Sequence, residues 1–359
     1  MRVETKPFPT ANLKGSWHDM GVQYGQDCKD EILYMQEWWK KLVSGFTPGF
    51  DYDKGLAGAI AMYETPIEEY APRWIEFMKG VGEGAGVDWR SIYWVNVASN
   101  LLEGQDWAQK PKVQGCTAFG VEPERTDTGK TYLGMNLDWT IDSKFVCLHM
   151  EPDNAPTVLG FCMAGCVPQV GISSAGFGAM VNGLTRAYNK RGVPMNVICA
   201  EALFANNLED ACMKISTCDR AMSFNHLFAH KDGSMVDIET TADNFQVVNP
   251  ENGRLIHTNH YLTEWLQEGD LYKENVNTFV RYRRAEKFLD ECDKVSIDTL
   301  KTMLRDHHGT ITVSLCSHNI DVPFEQTWAS VLSVIAIPED GVVYATEYPC
   351  KNEYTEYRL

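Results

Sequence analysis

The sequence lacks almost everything that would mark a membrane, secreted or nucleic-acid-binding protein. No run approaches the roughly 18 apolar residues of a membrane-spanning helix. The longest candidate, Val331 to Ile337, reads as a buried strand. The opening stretch, Met1-Arg2-Val3-Glu4-Thr5-Lys6-Pro7-Phe8-Pro9, has no apolar centre of the kind a secretory leader carries, so a cytoplasmic location is expected. Basic residues are scarce: 32 Lys and Arg stand against 49 Asp and Glu, for a net charge of −17. Such a field repels phosphates, and nucleic acid is not an expected partner. The glycines from Gly171 to Gly183 are not closed by Gly-Lys-Ser/Thr, so they read as a hairpin and not as a phosphate loop. Standard metal-ligand spacing is missing as well. His257/His260, His307/His308 and Cys162/Cys166 are close pairs, but they do not combine as Cys-x2-Cys followed by His-x3-His. No metal and no cofactor is expected, and no repeat or low-complexity segment is visible.

What is present is core material and thiols. Hydrophobic residues make up 44% of the chain, and 10 Trp, 15 Tyr and 15 Phe exclude disorder. The 11 cysteines stand at 28, 116, 147, 162, 166, 199, 212, 218, 292, 316 and 350. An odd count without a leader argues for free thiols in a reducing compartment. Most are expected to be small buried hydrophobes, which leaves open whether one is a nucleophile.

The chain divides at residue 115. Before it lie seven of the ten tryptophans and a mainly helical pattern: Ile32, Met35, Trp39 and Leu42 recur at helical spacing, and Ile67, Tyr70, Trp74 and Phe77 mark a second helix. Gly80 to Gly86 is expected to end that helix, and Asp88 to cap the next. Gly104 to Gln114 reads as a polar loop. From Cys116 onward short strands are expected at 116–121, 131–137, 145–150 and 157–161, then at 170–173 and 177–181 around a turn at 174–176. Helices follow at 195–204 and 208–215, strands at 235–240 and 245–248, helices at 278–292 and 297–307, and closing strands at 330–337 and 342–347. Strands first, helices in the middle and strands last suggest an α+β fold with two sheets between helical layers.

Three short motifs in order carry the chemistry. Gln114-Gly115-Cys116-Thr117 puts a cysteine directly after a glycine, where helical sequence gives way to strand. Gly134-Met135-Asn136-Leu137-Asp138-Trp139 follows, and His257-Thr258-Asn259-His260 comes much later. With these residues, beginning from Gly15 to Gly25, most of the chain resembles the acyl-CoA:6-aminopenicillanic acid acyltransferase family (peptidase family C45) of the N-terminal-nucleophile hydrolases. Relatives often carry Arg where this chain has Ser317.

The resemblance implies a four-layer αββα sandwich after a largely helical N-terminal segment, and a precursor that cuts its own Gly115–Cys116 bond. Residues 1–115 and 116–359 would then be two chains held together as a heterodimer, with homo-oligomers left open. A thiol of pKa about 8.5 needs a nearby base. Once Cys116 heads a new chain, its own α-amine, of pKa roughly 8, supplies one. Glycine before it lets the thiol reach the carbonyl on its N-terminal side. Asp138 is expected to hold the amine, Asn259 to donate to the oxyanion, and Asn182 to be a second amide at the site. Trp139 and Ser330 are candidate lining residues. The expected activity is hydrolysis of a linear amide of a small N-acyl compound. Acyl transfer from acyl-CoA or another donor is the alternative, and an uncleaved, non-catalytic binding protein is the rival from another class. After Cys116, 20 basic residues face 33 acidic ones, so an anionic acyl-CoA would need a local basic pocket, for which Arg186, Lys190 and Arg191 are the candidates.

Overall fold

The computed structural model describes residues 4–5, 7–103, 115–185, 190–307, 310 and 312–359. The expected loop at 104–114, Arg186 and His308 lie outside the described residues. Two sheets pack face to face. One has eight strands in the order Phe245–Val248, Met235–Thr240, Phe224–His230, Phe177–Gly183, Val170–Ser173, Val158–Met163, Phe145–Pro152 and Thr10–Gly15. The other runs Arg254–His257, Cys116–Val121, Tyr132–Trp139, Trp328–Ile337, Val342–Thr346 and Thr355–Arg358, with the short His318–Asn319 pairing beside Trp328–Ile337. Their facing sides share one core, in which Leu133, Met135 and Val331 of one sheet meet Val170, Ala179 and Leu227 of the other. The approach is close enough that a Cβ on Gly178 would stand 2.8 Å from Leu133.

Helices cover both outer faces, giving the expected order of layers. Val276–Asp290 and Ile297–Leu304 bury Ala285, Leu289, Leu300 and Met303 against Phe119, Ile256 and Ile335. Ser296 caps the second of these helices by accepting from Thr299 N–H, as its position predicts. The N-terminal helices join the core on the other side. Lys29–Phe46 buries Ile32, Met35, Trp39 and Leu42 as one stripe, each side chain contributing about 1.5–3 kcal/mol by leaving water.

Two expectations fail here. The second N-terminal helix is two helices, Thr65–Tyr70 and Arg73–Ala85, because Pro72 has no N–H to continue the first and starts the second. Gly80 to Gly84 lie inside the latter, which ends only at left-handed Gly86. Those glycines mark a close helix crossing. Cβ atoms on Gly80 and Gly84 would stand 2.2 and 2.1 Å from the carbonyl oxygens of His18 and Val22 in helix Trp17–Asp27, and Gly21 and Gly25 are equally crowded from the other side. Strands Thr10–Gly15, Phe224–His230, Arg254–His257 and Thr355–Arg358 were not anticipated. The first is the most consequential, because it pairs in parallel with Phe145–Pro152 and builds the helical segment into the sheet of the rest of the chain.

Candidate active site

Cys116 begins the strand Cys116–Val121, between Arg254–His257 and Tyr132–Trp139. Antiparallel register sets Cys116 opposite Leu137, next to Asp138. The peptide bond before Cys116 is held at both its polar atoms, and the one after it at its carbonyl. Cys116 N–H donates to Asn259 Oδ1 at 2.8 Å. Asp138 N–H donates to the Gly115 carbonyl at 2.9 Å. The Cys116 carbonyl accepts from Arg281 Nη1.

Arg281, on helix Val276–Asp290, escaped the sequence reading. It is fully buried, and it also donates to Asn259 Oδ1 at 2.7 Å, to Thr117 Oγ1 at 3.0 Å and to Asn277 Oδ1 at 2.5 Å. Burial draws its pKa down, while Asp138 and Cys116 oppose that shift. No local signal marks it, and only the fold brings residue 281 to residue 116.

Burial also dominates the two titratable groups at the centre. It pushes the Asp138 carboxyl up to about 7 against the pull of Arg281 and the hydrogen bond from Ser330. It lifts the Cys116 thiol to about 11, with the Asp138 charge adding to the rise and backbone N–H groups, Arg281 among the charges, opposing it. In the uncut chain the thiol is therefore protonated at neutral pH, and a carboxylate that titrates near neutrality stands beside it.

The other candidates take different places. Asn259 turns Oδ1 toward Cys116, and its Nδ2 donates to the Gly183 carbonyl at 2.9 Å. Two donors on one oxygen fix that orientation, so Asn259 meets the Cys116 N–H as an acceptor; Nδ2 carries a second N–H besides the one on Gly183. Ser330 does not line the cavity; its hydroxyl donates to Asp138 Oδ1 at 2.6 Å and accepts from Ser317 N–H. Asn182 is fully buried behind the site. It donates to the His257 carbonyl at 3.4 Å and accepts from Asn225 at 3.3 Å. Trp139 does face the cavity, and its Nε1 has no hydrogen-bond partner among the described residues.

That cavity, about 70 Å³, opens on Cys116, Asp138 and Asn259 and is walled by Leu137, Trp139, Met163, Val181, Met195 and Phe224. It suits an apolar group carrying few polar atoms. A larger groove of about 720 Å³, lined by Arg254, Glu286, Tyr282 and neighbours, contains none of these groups. Of the basic residues considered for an anionic substrate, Arg186 lies outside the described residues and Arg191 is exposed. Lys190 is tied to Asp219 and Asp243 at 2.8 and 2.9 Å.

Gly115 has a steric reason to be glycine. A Cβ there would lie 2.8 Å from the Arg281 guanidinium, whose hydrogen bonds hold it in place. Gly115→Ala is expected to slow conversion of the full-length chain to fragments by tenfold or more (about 1.4 kcal/mol on the barrier) while leaving the fold intact. A time course on denaturing gels, with circular dichroism as control, checks this; wild-type conversion in the variant would remove the steric argument.

Two of the pairs weighed as metal ligands, His257/His260 and Cys162/Cys166, have other partners. His257 bonds Glu239 at 2.9 Å, His260 lies against Phe279, and Cys162 donates to the Cys166 carbonyl inside the core.

Comparison with known proteins finds a family match, a curated relative and more distant solved structures. Residues 125–338 match the family described as acyl-coenzyme A:6-aminopenicillanic acid acyl-transferase. The stretch includes Asp138, Asn182, Asn259, Arg281 and Ser330, and begins beyond Cys116. The 40 kDa form of acyl-coenzyme A:6-aminopenicillanic-acid-acyltransferase from Emericella nidulans is 23% identical over 288 residues, covering 78% of this chain and 77% of that protein. Among solved structures, a conjugated bile acid hydrolase variant from Clostridium perfringens aligns at 13% identity and a TM-score of 0.49, over 68% of this chain and 97% of that one. Penicillin V acylase from Agrobacterium tumefaciens aligns at 10% identity and a TM-score of 0.41, over 65% and 83%. With more than half of its length matched, the chain belongs to the acyl-coenzyme A:6-aminopenicillanic acid acyl-transferase family of enzymes.

Proposed function

We propose that the protein is a self-processing cysteine N-terminal-nucleophile enzyme that cuts Gly115–Cys116 and then hydrolyses a linear amide of an N-acyl compound through an acyl-enzyme on Cys116. The observation that carries this reading is the clamp on one peptide bond, with the amide N–H on Asn259, the carbonyl on Asp138 N–H and the thiol of the same residue at the mouth of an apolar cavity. Attack of the Cys116 sulfur on the Gly115 carbonyl carbon forms a C–S bond. The C–N bond then breaks, and the nitrogen takes up a proton to become the α-amine. Asp138 N–H, already on the carbonyl oxygen, is placed to stabilise the charge that develops there. Water hydrolyses the thioester and leaves Cys116 at a new N-terminus.

In turnover the freed amine takes the thiol proton and later passes it to the leaving nitrogen. Asn259 Oδ1, which holds the amide N–H in the uncut chain, holds that amine. Its remaining Nδ2 hydrogen points the role of oxyanion donor to the same side chain. The cavity receives the acyl group against Trp139, Val181 and Met195.

Acyl transfer remains the second reading because the family is named for it. The acidic field and the pairing of Lys190 weigh against a coenzyme A donor. A library of N-acyl amino acids and amines, assayed with and without acyl-CoA, separates the two. Release of free acid and amine without acyl-CoA is the expected outcome. New amide formed only when acyl-CoA is added would overturn hydrolysis as the main reaction.

A further inference from the structure

A second chemical centre lies on the far side of Asp138. His307 follows helix Ile297–Leu304, Cys316 and His318 flank Ser317, and Cys350 lies in the tail beyond strand Val342–Thr346. These side chains come from three separate segments, yet one ligand-type atom from each lies within 4.8 Å of all the others. His318 Nε2 stands 3.1 Å from His307 Nε2, 3.4 Å from Cys316 Sγ and 3.1 Å from Cys350 Sγ.

A pairwise hydrogen-bond chain accounts poorly for this arrangement. One imidazole nitrogen offers either one hydrogen or one lone pair, and here it faces three partners at bonding distance. Convergence of four atoms on one point is instead the pattern of a coordination shell. Metal–N bonds of about 2.0–2.1 Å and metal–S bonds of about 2.3 Å on tetrahedral axes set N···N near roughly 3.3 Å and N···S near roughly 3.5 Å. The three separations from His318 Nε2 are within a few tenths of an ångström of those values.

We infer that His307, Cys316, His318 and Cys350 form a tetrahedral Cys2His2 site for a divalent zinc ion, which fastens the C-terminal tail and the Ser314–His318 segment to the sheet behind Asp138. Two thiolates and two imidazoles are the donor set zinc takes in closed sites, and four protein ligands leave no position for water or substrate. The ion is therefore structural. Its reach to the active site runs through Ser317, held between Cys316 and His318. Ser317 N–H donates to Ser330 Oγ, and that hydroxyl donates to Asp138. This inference runs against the expectation of no metal. Spacing arguments search for paired motifs along the chain, whereas here only Cys316-x-His318 is local and the other two ligands are brought in by the fold. It does not depend on Cys116 chemistry.

The test uses the full chain, expressed in zinc-supplemented medium, freed of loose metal by gel filtration and measured by elemental mass spectrometry. One zinc per chain is expected, with two further thiols becoming reactive when a strong chelator removes it. Cobalt(II) added to the stripped protein should give the visible bands of a tetrahedral thiolate centre. Cys350→Ser should lose the metal, whereas Cys292→Ser, outside the cluster, should keep it. Should Cys350→Ser fail to fold, the metal content, thiol count and cobalt spectrum of the wild-type chain decide the matter. Substoichiometric zinc with no cobalt bands, a Cys316–Cys350 disulfide in the intact mass, or full zinc in Cys350→Ser would each overturn the site.

Discussion

Replacing Cys116 with alanine is expected to leave a single chain of 359 residues under conditions in which the wild type separates on denaturing gels into fragments of 115 and 244 residues. Ser330, a hydroxyl of the same network, is fully buried and committed to Asp138 and Ser317. Fragment sequencing should place Cys116 at the new N-terminus of the larger piece. Amidase activity should fall to background in the variant, since in the proposed mechanism the nucleophile and the base belong to one residue. A wild-type chain that stays intact would sink self-processing and, with it, the α-amine as base. An intact wild-type chain that still hydrolyses amides would instead point to an ordinary thiol enzyme. Fragmentation that persists in Cys116→Ala would mean that an outside protease makes the cut.

Asn259→Ala should lower kcat by about 10²–10³-fold, the range associated with losing one preorganised oxyanion donor. The side chain has three partners, Cys116 N–H, Arg281 and the Gly183 carbonyl, so its removal loosens the nitrogen that is to act as base as well as the oxyanion site. Because two effects combine on the chemical step, the loss should appear in kcat with KM changed little. The control is Asn259→Asp, which keeps an oxygen for the amine and Arg281 but lacks the amide donor. It should process its precursor better than the alanine variant while staying slow in turnover. If Asn259→Ala keeps wild-type kcat with an unchanged melting temperature, the assignment of Asn259 to the reaction is wrong.

Much of the architecture was legible because hydrophobic period and turn residues are local. The stripe through Ile32, Met35, Trp39 and Leu42 could only be a helix with one buried face, and strands such as Val170–Ser173 are bounded by their own glycines and serines. Failures arose where tertiary contact outweighed the local rule. Glycines at 80, 82 and 84 read as a helix stop, and they are instead the contact surface of a helix that another backbone approaches closely. Thr10–Gly15 alternates exposed and buried residues over only six positions and gains its partner more than 130 residues away.

The candidate site divides in the same way. Gly115, Cys116, Asp138 and Asn259 were found because their motifs are compact and ordered along the chain. Arg281 sits in an unremarkable run, Arg281-Tyr282-Arg283-Arg284, in which nothing local separates the one buried arginine from two that lie nearer the surface. The roles of Asn182 and Ser330 depend on which way a strand faces. Asn182 is one position away from two cavity-lining residues, Val181 and Gly183, and the alternation of a strand turns it to the opposite side.

The parallel seam between Thr10–Gly15 and Phe145–Pro152 has a consequence for the life history of the molecule. While the chain is whole, the two strands are tethered, and their meeting during folding is a loop closure whose entropy cost rises only slowly with loop length. If Gly115–Cys116 is cut as proposed, the same seam and the helices packed beside it would become a contact between separate molecules, whose re-formation depends on concentration. The precursor would thus serve as the assembly template for its own product. The finished enzyme would hold a shape it has lost the means to rebuild efficiently, so that maturation spends the capacity to recover from unfolding in exchange for a nucleophile that carries its own base.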